Sequence, residues 1–169
     1  MATKLVSEPS EYMRELTRYL SNIMNSVLLA LPAEIKEFIY FDALSHAATA
    51  ILNLTLDESV KRITPCAVAA LAKDTAFLVS FVESLGNPIL MGNLDELRQT
   101  VALMQTTDSD EFFDVAQRNR KYGNVDNLKG AMLIEKVAEG RAVAAQSPAP
   151  TASKSSERFA AFGSRFGIR

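Results

Sequence analysis

The sequence predicts an all-α fold: an up-and-down antiparallel bundle of five or six helices, followed by a disordered C-terminal tail. Three observations predict it. Apolar residues recur at steps of three and four through most of residues 1–139. No stretch alternates apolar and polar residues long enough to make a strand. Helix start and stop signals fall at short intervals, and short loops between long helices favour antiparallel neighbours.

The first helix carries Leu16, Tyr19, Leu20, Ile23, Val27 and Leu31 on one side, with Glu11, Arg14, Glu15, Arg18, Asn22 and Asn25 on the other. Pro32 restarts the chain, because proline suits a first helical turn and breaks an interior. The second helix presents Tyr40, Leu44, Ala47, Ile51 and Leu54 to the core and Asp42, Ser45, Thr49 and Asn53 to water. Asp57 caps a short turn through Val60 to Ile63.

Thr64-Pro65 sets a capping hydroxyl before a proline and opens a third helix with Val68, Leu71, Thr75, Leu78, Val82 and Leu85. Phe77 and Phe81 widen its apolar face, with Phe81 expected in the core, so that Phe81→Ala costs about 3–5 kcal/mol. Gly86-Asn87-Pro88 stops it. Asn93 and Glu96 have the spacing of a capping box ahead of Leu94, Leu97, Val101 and Met104. Asp108 and Glu111 repeat that spacing before Phe112 and Phe113, in an element that Gly123 ends. Asp126 caps a last helix with Leu128, Ala131, Met132, Leu133 and Val137.

Composition divides the chain into a helical body, residues 1–139, and a linker and tail, residues 140–169. From Arg141 to Ser156 nearly all residues are Ala, Ser, Pro or Thr, too small to bury enough surface to offset chain entropy. Of the total charge of −2, the last thirty residues carry +4, which leaves −6 on the body. An acidic body argues against nucleic acid as a partner.

Several classes of chemistry are disfavoured. One cysteine, Cys66, forms no internal disulfide, and one histidine, His46, cannot build a multi-histidine metal centre. No metal or cofactor is expected, and no catalytic residue is assigned. No apolar run approaches a membrane span and no secretory segment follows Met1, so the chain reads as soluble and cytosolic. Asp42 and His46 stand four apart on one helix face, an acid–base pair in form, yet no nucleophile accompanies them. Cys66 sits in a first helical turn among alanines, where a small buried core residue is expected.

Two segments read as contact surfaces for lipid headgroups or a protein. Arg118, Arg120 and Lys121 form the densest basic cluster of the body, although cations also suit the end of a helix. Phe159, Phe162, Arg165 and Phe166 combine aromatic and basic character after the linker. The alternative is a tail folded back onto its own domain.

The blocks Leu31-Pro32, His46-Ala47-Ala48, and the run from Leu54 through Asp57 and Arg62 to Ile63 resemble the C-terminal domain of the exocyst subunit Sec-fifteen. The likeness continues through Ala67-Val68, Asp74, Phe81 and Glu83, then Tyr122 to Val125 and Leu133 to Val137, and covers roughly Tyr12 to Val137. The order of several blocks carries it. The Phe-rich, basic end is similar to fungal members. Ala72-Lys73 stands where the family commonly has Asn-Leu, and Asp126-Asn127 where its closing helix often starts Asn-Pro.

The resemblance implies a non-catalytic part of the complex that tethers secretory vesicles at the plasma membrane. It implies a cytoplasmic protein, peripheral at vesicles and plasma membrane, that binds a Rab-family GTPase in its GTP state and other exocyst subunits. A rival reading is a scaffold piece contacting only exocyst subunits or polarity proteins. The candidate partner contact is Leu71, Ala72, Lys73, Asp74 and Phe77, which match a family segment and set an aromatic near an exposed lysine. The competing reading puts Leu71 and Phe77 in the core.

Overall fold

Ser10 starts the first helix in the computed structural model, which describes residues 8–146, the side chains of residues 24 and 27 excepted. Its hydroxyl accepts the Met13 N–H at 3.2 Å, capping α1 (Glu11–Asn22). Met13, Thr17 and Leu20 are the buried face of α1, and Tyr19 points to water. The helix expected to run on to Leu31 instead passes into a π-helical turn, Ile23–Val27, closed by the Leu28 N–H on the Ile23 carbonyl at 2.9 Å. The extra residue rotates the following chain by about a quarter turn. Leu28 is thereby buried.

The helix α2 (Ala33–Leu56) buries Tyr40, Leu44, Ala48 and Leu52, while Leu54 is exposed. Its face is thus a row of four-residue steps, turned from the expected 4-3-4-3 stripe. The Tyr40 hydroxyl donates to the Leu20 carbonyl at 3.2 Å, and burial pushes its pKa up. In α3 (Pro65–Ser84) the Thr64 hydroxyl accepts the Ala67 N–H at 3.2 Å, and Val68, Thr75, Leu78 and Val82 are buried as expected. Phe81 is only half-buried against this core. Cys66 is exposed rather than buried, since the inward position of that first turn belongs to Val68. By length and composition α3 could cross a membrane, against the expectation that no apolar run is long enough. Here it packs on α1, α4, α5 and α8.

Gly86, at φ 71°, ends α3 in a left-handed turn that favours glycine. Asn87 then caps α4 (Pro88–Met91) through its side-chain oxygen and the Ile89 N–H, 3.0 Å away. A 3₁₀ turn, Gly92–Leu94, leads into α5 (Asp95–Gln105), which buries Leu97, Thr100, Val101, Leu103 and Met104. The expected Asn93–Glu96 capping box is not made. Leu94 occupies the cap position, the Asn93 side-chain nitrogen is buried with no hydrogen-bond partner among the described residues, and Glu96 reaches out to Lys129 at 3.5 Å.

The element expected between Asp108 and Gly123 is two helices, α6 (Asp110–Phe113) and α7 (Val115–Lys121). Asp114 divides them, because its carboxylate accepts the Ala116 and Gln117 N–H groups and starts a new helix. Asp126 caps α8 (Asn127–Gln146) through the Leu128 and Lys129 N–H groups at 3.0 and 3.1 Å. The helix runs six residues past Gly140, so Arg141–Gln146 are not linker. Arg141 explains the extension. Its guanidinium donates to the Met104 and Thr106 carbonyls at 3.1 and 2.7 Å and holds this turn against the end of α5. The expected disordered linker and tail otherwise lie outside the described residues.

All described elements are helices or turns, and α5 packs on α2, α3 and α8 at the centre. Lys129 and Glu96 pair the first turns of α8 and α5, and Arg141 meets the far end of α5, so the two run in the same direction. A short connection would force opposite directions; the α6–α7 excursion lifts that constraint. Leu103, Phe112, Tyr122 and Val125 form a second small core under this excursion, where the Phe112 and Tyr122 rings meet edge-on at 6.0 Å.

Two glycines let α8 settle. A Cβ at Gly130 would overlap the Phe112 ring, and one at Gly140 would overlap the Ile63 carbonyl. The buried face of α8 is therefore Gly130, Leu133, Lys136, Val137 and Gly140, while Leu128 and Met132, expected inside, are exposed.

Candidate docking surface

Successive residues of a helix are turned by about 100°, so Leu71 to Asp74 point in four directions rather than forming one patch. Leu71, Ala72 and Phe77 are half-buried and pack against the main core. Lys73 is half-buried rather than exposed. The Asp74 carboxylate accepts the Ser10 N–H at 2.6 Å and ties the start of α1 to the middle of α3. Of the five, Ala72 also reaches a groove.

That groove is a shallow, open depression of about 370 Å³ between α3 and α5. Ala72, Thr75, Ala76 and Val79 line one wall, and Arg98, Val101 and Ala102 line the other. Alanines four apart on α3 leave a channel that larger residues would fill, and Ala102 extends it across α5. Thr75 is 5% exposed, and its hydroxyl has no hydrogen-bond partner among the described residues. An unpartnered buried hydroxyl is costly. Arg98 is paired with Asp95 at 3.4 Å on the same helix. Ala76, Val79, Arg98 and Ala102 share this groove and are not among the residues read from the sequence; the signal available was the small-residue spacing on α3, which has no meaning until α5 is placed beside it.

A second exposed feature was likewise not anticipated. Ile35, Phe38 and Phe41 project from the first turns of α2, with Phe38 72% and Phe41 43% exposed, beside Glu34 and Glu37.

The basic cluster is partly committed. Arg118, Arg120 and Lys121 occupy the last turn of α7, where cations face the negative end of the helix dipole. Lys121 pairs with Glu111 at 2.6 Å, and that hydrogen bond raises its pKa. Arg118 is half-buried and Arg120 exposed. Asp42 and His46 are both exposed on α2, and the hydrogen bonds among the described residues include none between them. Phe159, Phe162, Arg165 and Phe166 lie outside the described residues.

Comparison with known proteins gives consistent relatives. The chain is 26% identical over 137 residues to exocyst complex component sec15 of Schizosaccharomyces pombe, a match covering 79% of this chain and 18% of that protein. It is 29% identical over 135 residues to exocyst complex component SEC15B of Arabidopsis thaliana, covering 75% of this chain and 17% of that protein. The chain therefore spans less than a fifth of the length of the curated relatives it matches. No solved structure matches it. Residues 1–136 match the family described as exocyst complex subunit Sec15 C-terminal, and the chain belongs to that family.

Proposed function

We propose that this domain is a docking module of the exocyst vesicle tether, without catalytic activity, that binds a secretory Rab GTPase in its GTP state. The α3–α5 groove is the surface assigned to that contact. Its small-residue walls support the reading, because they leave room for apolar side chains. Switch segments of a GTPase are ordered by the γ-phosphate, so a groove that takes an ordered apolar segment discriminates nucleotide states without touching nucleotide. Through the exocyst the domain acts in the cytoplasm, peripherally at vesicles and the plasma membrane, together with other exocyst subunits.

Capture of purified secretory Rab by the full chain tests this. The GTP-loaded form is retained over the GDP-loaded form, and Ala76→Trp, which fills the groove from an exposed position, removes the preference without lowering the melting temperature. Equal capture of both forms overturns effector activity.

The apolar stripe of Ile35, Phe38 and Phe41 favours a second reading, a scaffold piece that contacts exocyst subunits or polarity proteins. Loss of complex assembly in Phe38→Ser with Rab capture unchanged supports it.

A further inference from the structure

Another groove opens where the connector between α2 and α3 crosses α8. Val60 and the 44% exposed Met132 give it an apolar floor, and Glu58, Glu135 and Glu139 stand around it. Lys61 is the exposed base there, while the Lys136 ammonium is drawn onto the Thr55 and Asp57 carbonyls. We propose that this groove seats the chain's own basic, phenylalanine-rich end, residues 158–169.

Charge, spacing and reach support that occupant. The segment carries Arg158, Arg165 and Arg169 and no acidic side chain, opposite in sign to the three glutamates. Phe159, Phe162 and Phe166 follow three- and four-residue steps, so a helical turn formed on docking would set all three on one side. Exposed methionine is an adaptable surface for aromatic rings. The described part of α8 ends at Gln146, seven residues beyond Glu139, or about 10 Å of helix. Residues 147–158 span at most about 40 Å, enough to bring Phe159 back to the groove.

The rival surfaces fit less well. The α3–α5 groove presents Arg98 and no carboxylate side chain. Phe38 lies about 27 Å of helix from the end of α2 that meets Lys136, toward the opposite end of the domain. Seated in the groove beside α8, the segment shields its own phenylalanines, so any membrane or protein that uses them must first displace it.

The lone cysteine supplies the test. Cys66 is exposed in the first turn of α3, three residues beyond Ile63, against which Gly140 of α8 backs. A nitroxide on Cys66 of the full chain reads the tail by paramagnetic attenuation of amide signals. Attenuation is expected to peak over residues 158–166, to be weaker through the linker, and to persist on dilution. It fades as salt rises from about 0.1 M to about 1 M and the Debye length falls from about 10 Å to about 3 Å. The peak is lost in the triple variant Glu58→Lys, Glu135→Lys, Glu139→Lys, whose three positions are all exposed. It is also lost in Phe159→Ser, Phe162→Ser, Phe166→Ser, which leaves the helical body untouched. A smooth decline along the tail, the same in both variants, overturns the proposal. So does a peak that disappears on dilution, which would place the segment on a second copy.

Discussion

The Lys136 ammonium donates to the Asp57 carbonyl at 2.9 Å and to the Thr55 carbonyl at 3.1 Å. A lysine of α8, 9% exposed, thus satisfies the carbonyls left open where α2 ends. Its own carbonyl accepts the Ile63 N–H at 2.9 Å, so one residue clamps both the end of α2 and the connector.

Lys136→Met keeps the stem and removes the donor. Carbonyls that lose a charged partner at a part-buried site cost about 1.5–3 kcal/mol. Lys129→Met, which removes an exposed pair with Glu96, costs less than about 1 kcal/mol. Urea denaturation of both variants checks the ranking, and equal losses would refute the clamp.

Gly140→Ala sets two effects against each other. Helix propensity favours alanine by about 1 kcal/mol. The added methyl would overlap the Ile63 carbonyl, a backbone atom that cannot rotate away, and such overpacking costs about 1–3 kcal/mol or more. A net loss in denaturant midpoint is expected; a gain would mean that α8 shifts without penalty.

Ser59, through its hydroxyl and through its N–H at 2.7 Å, holds the Asp57 carboxyl below the usual carboxylate range. A lowered folded-state value means that the unfolded chain takes up the proton more readily. The stabilisation is therefore complete above the ordinary value near pH 4 and is lost as pH falls through the folded one. Carbon-13 titration of Asp57 should show the low midpoint. In Ser59→Ala it should rise part of the way, because the main-chain N–H remains; a midpoint that does not move counts against this geometry.

Leu78 is fully buried in α3, whereas Phe81 is half-buried at the edge of the same core. Leu78→Ala is expected to cost about 2–5 kcal/mol. Phe81→Ala falls below the 3–5 kcal/mol that full burial would imply, since part of the ring already faces water. Paired melts decide the order, and a larger loss at Phe81 would reverse the assignment of the α3 faces.

Features that depend on residues close in the chain were legible. Thr64-Pro65, Gly86 and Asp126 mark real helix boundaries because caps and stops act over one turn. Leu97, Val101 and Met104 lie inside because a periodic stripe can face only one way. Of the candidate partner stretch, Ala72 lines a groove whose other wall on α5 was not legible, because adjacency between helices is not written in either helix alone.

The sequence by itself determined that the chain is helical, where most helices start, and which family it resembles, since propensity, capping and motif order are local or linear properties. Tertiary structure alone decided that Glu96 pairs with Lys129 rather than closing a capping box, and that glycines at 130 and 140 are contact points. It alone decided that Lys136 and Arg141 face inward onto the ends of two other helices. In each case the partner lies more than ten residues away, and the free energy of the contact exists only once packing brings the two together.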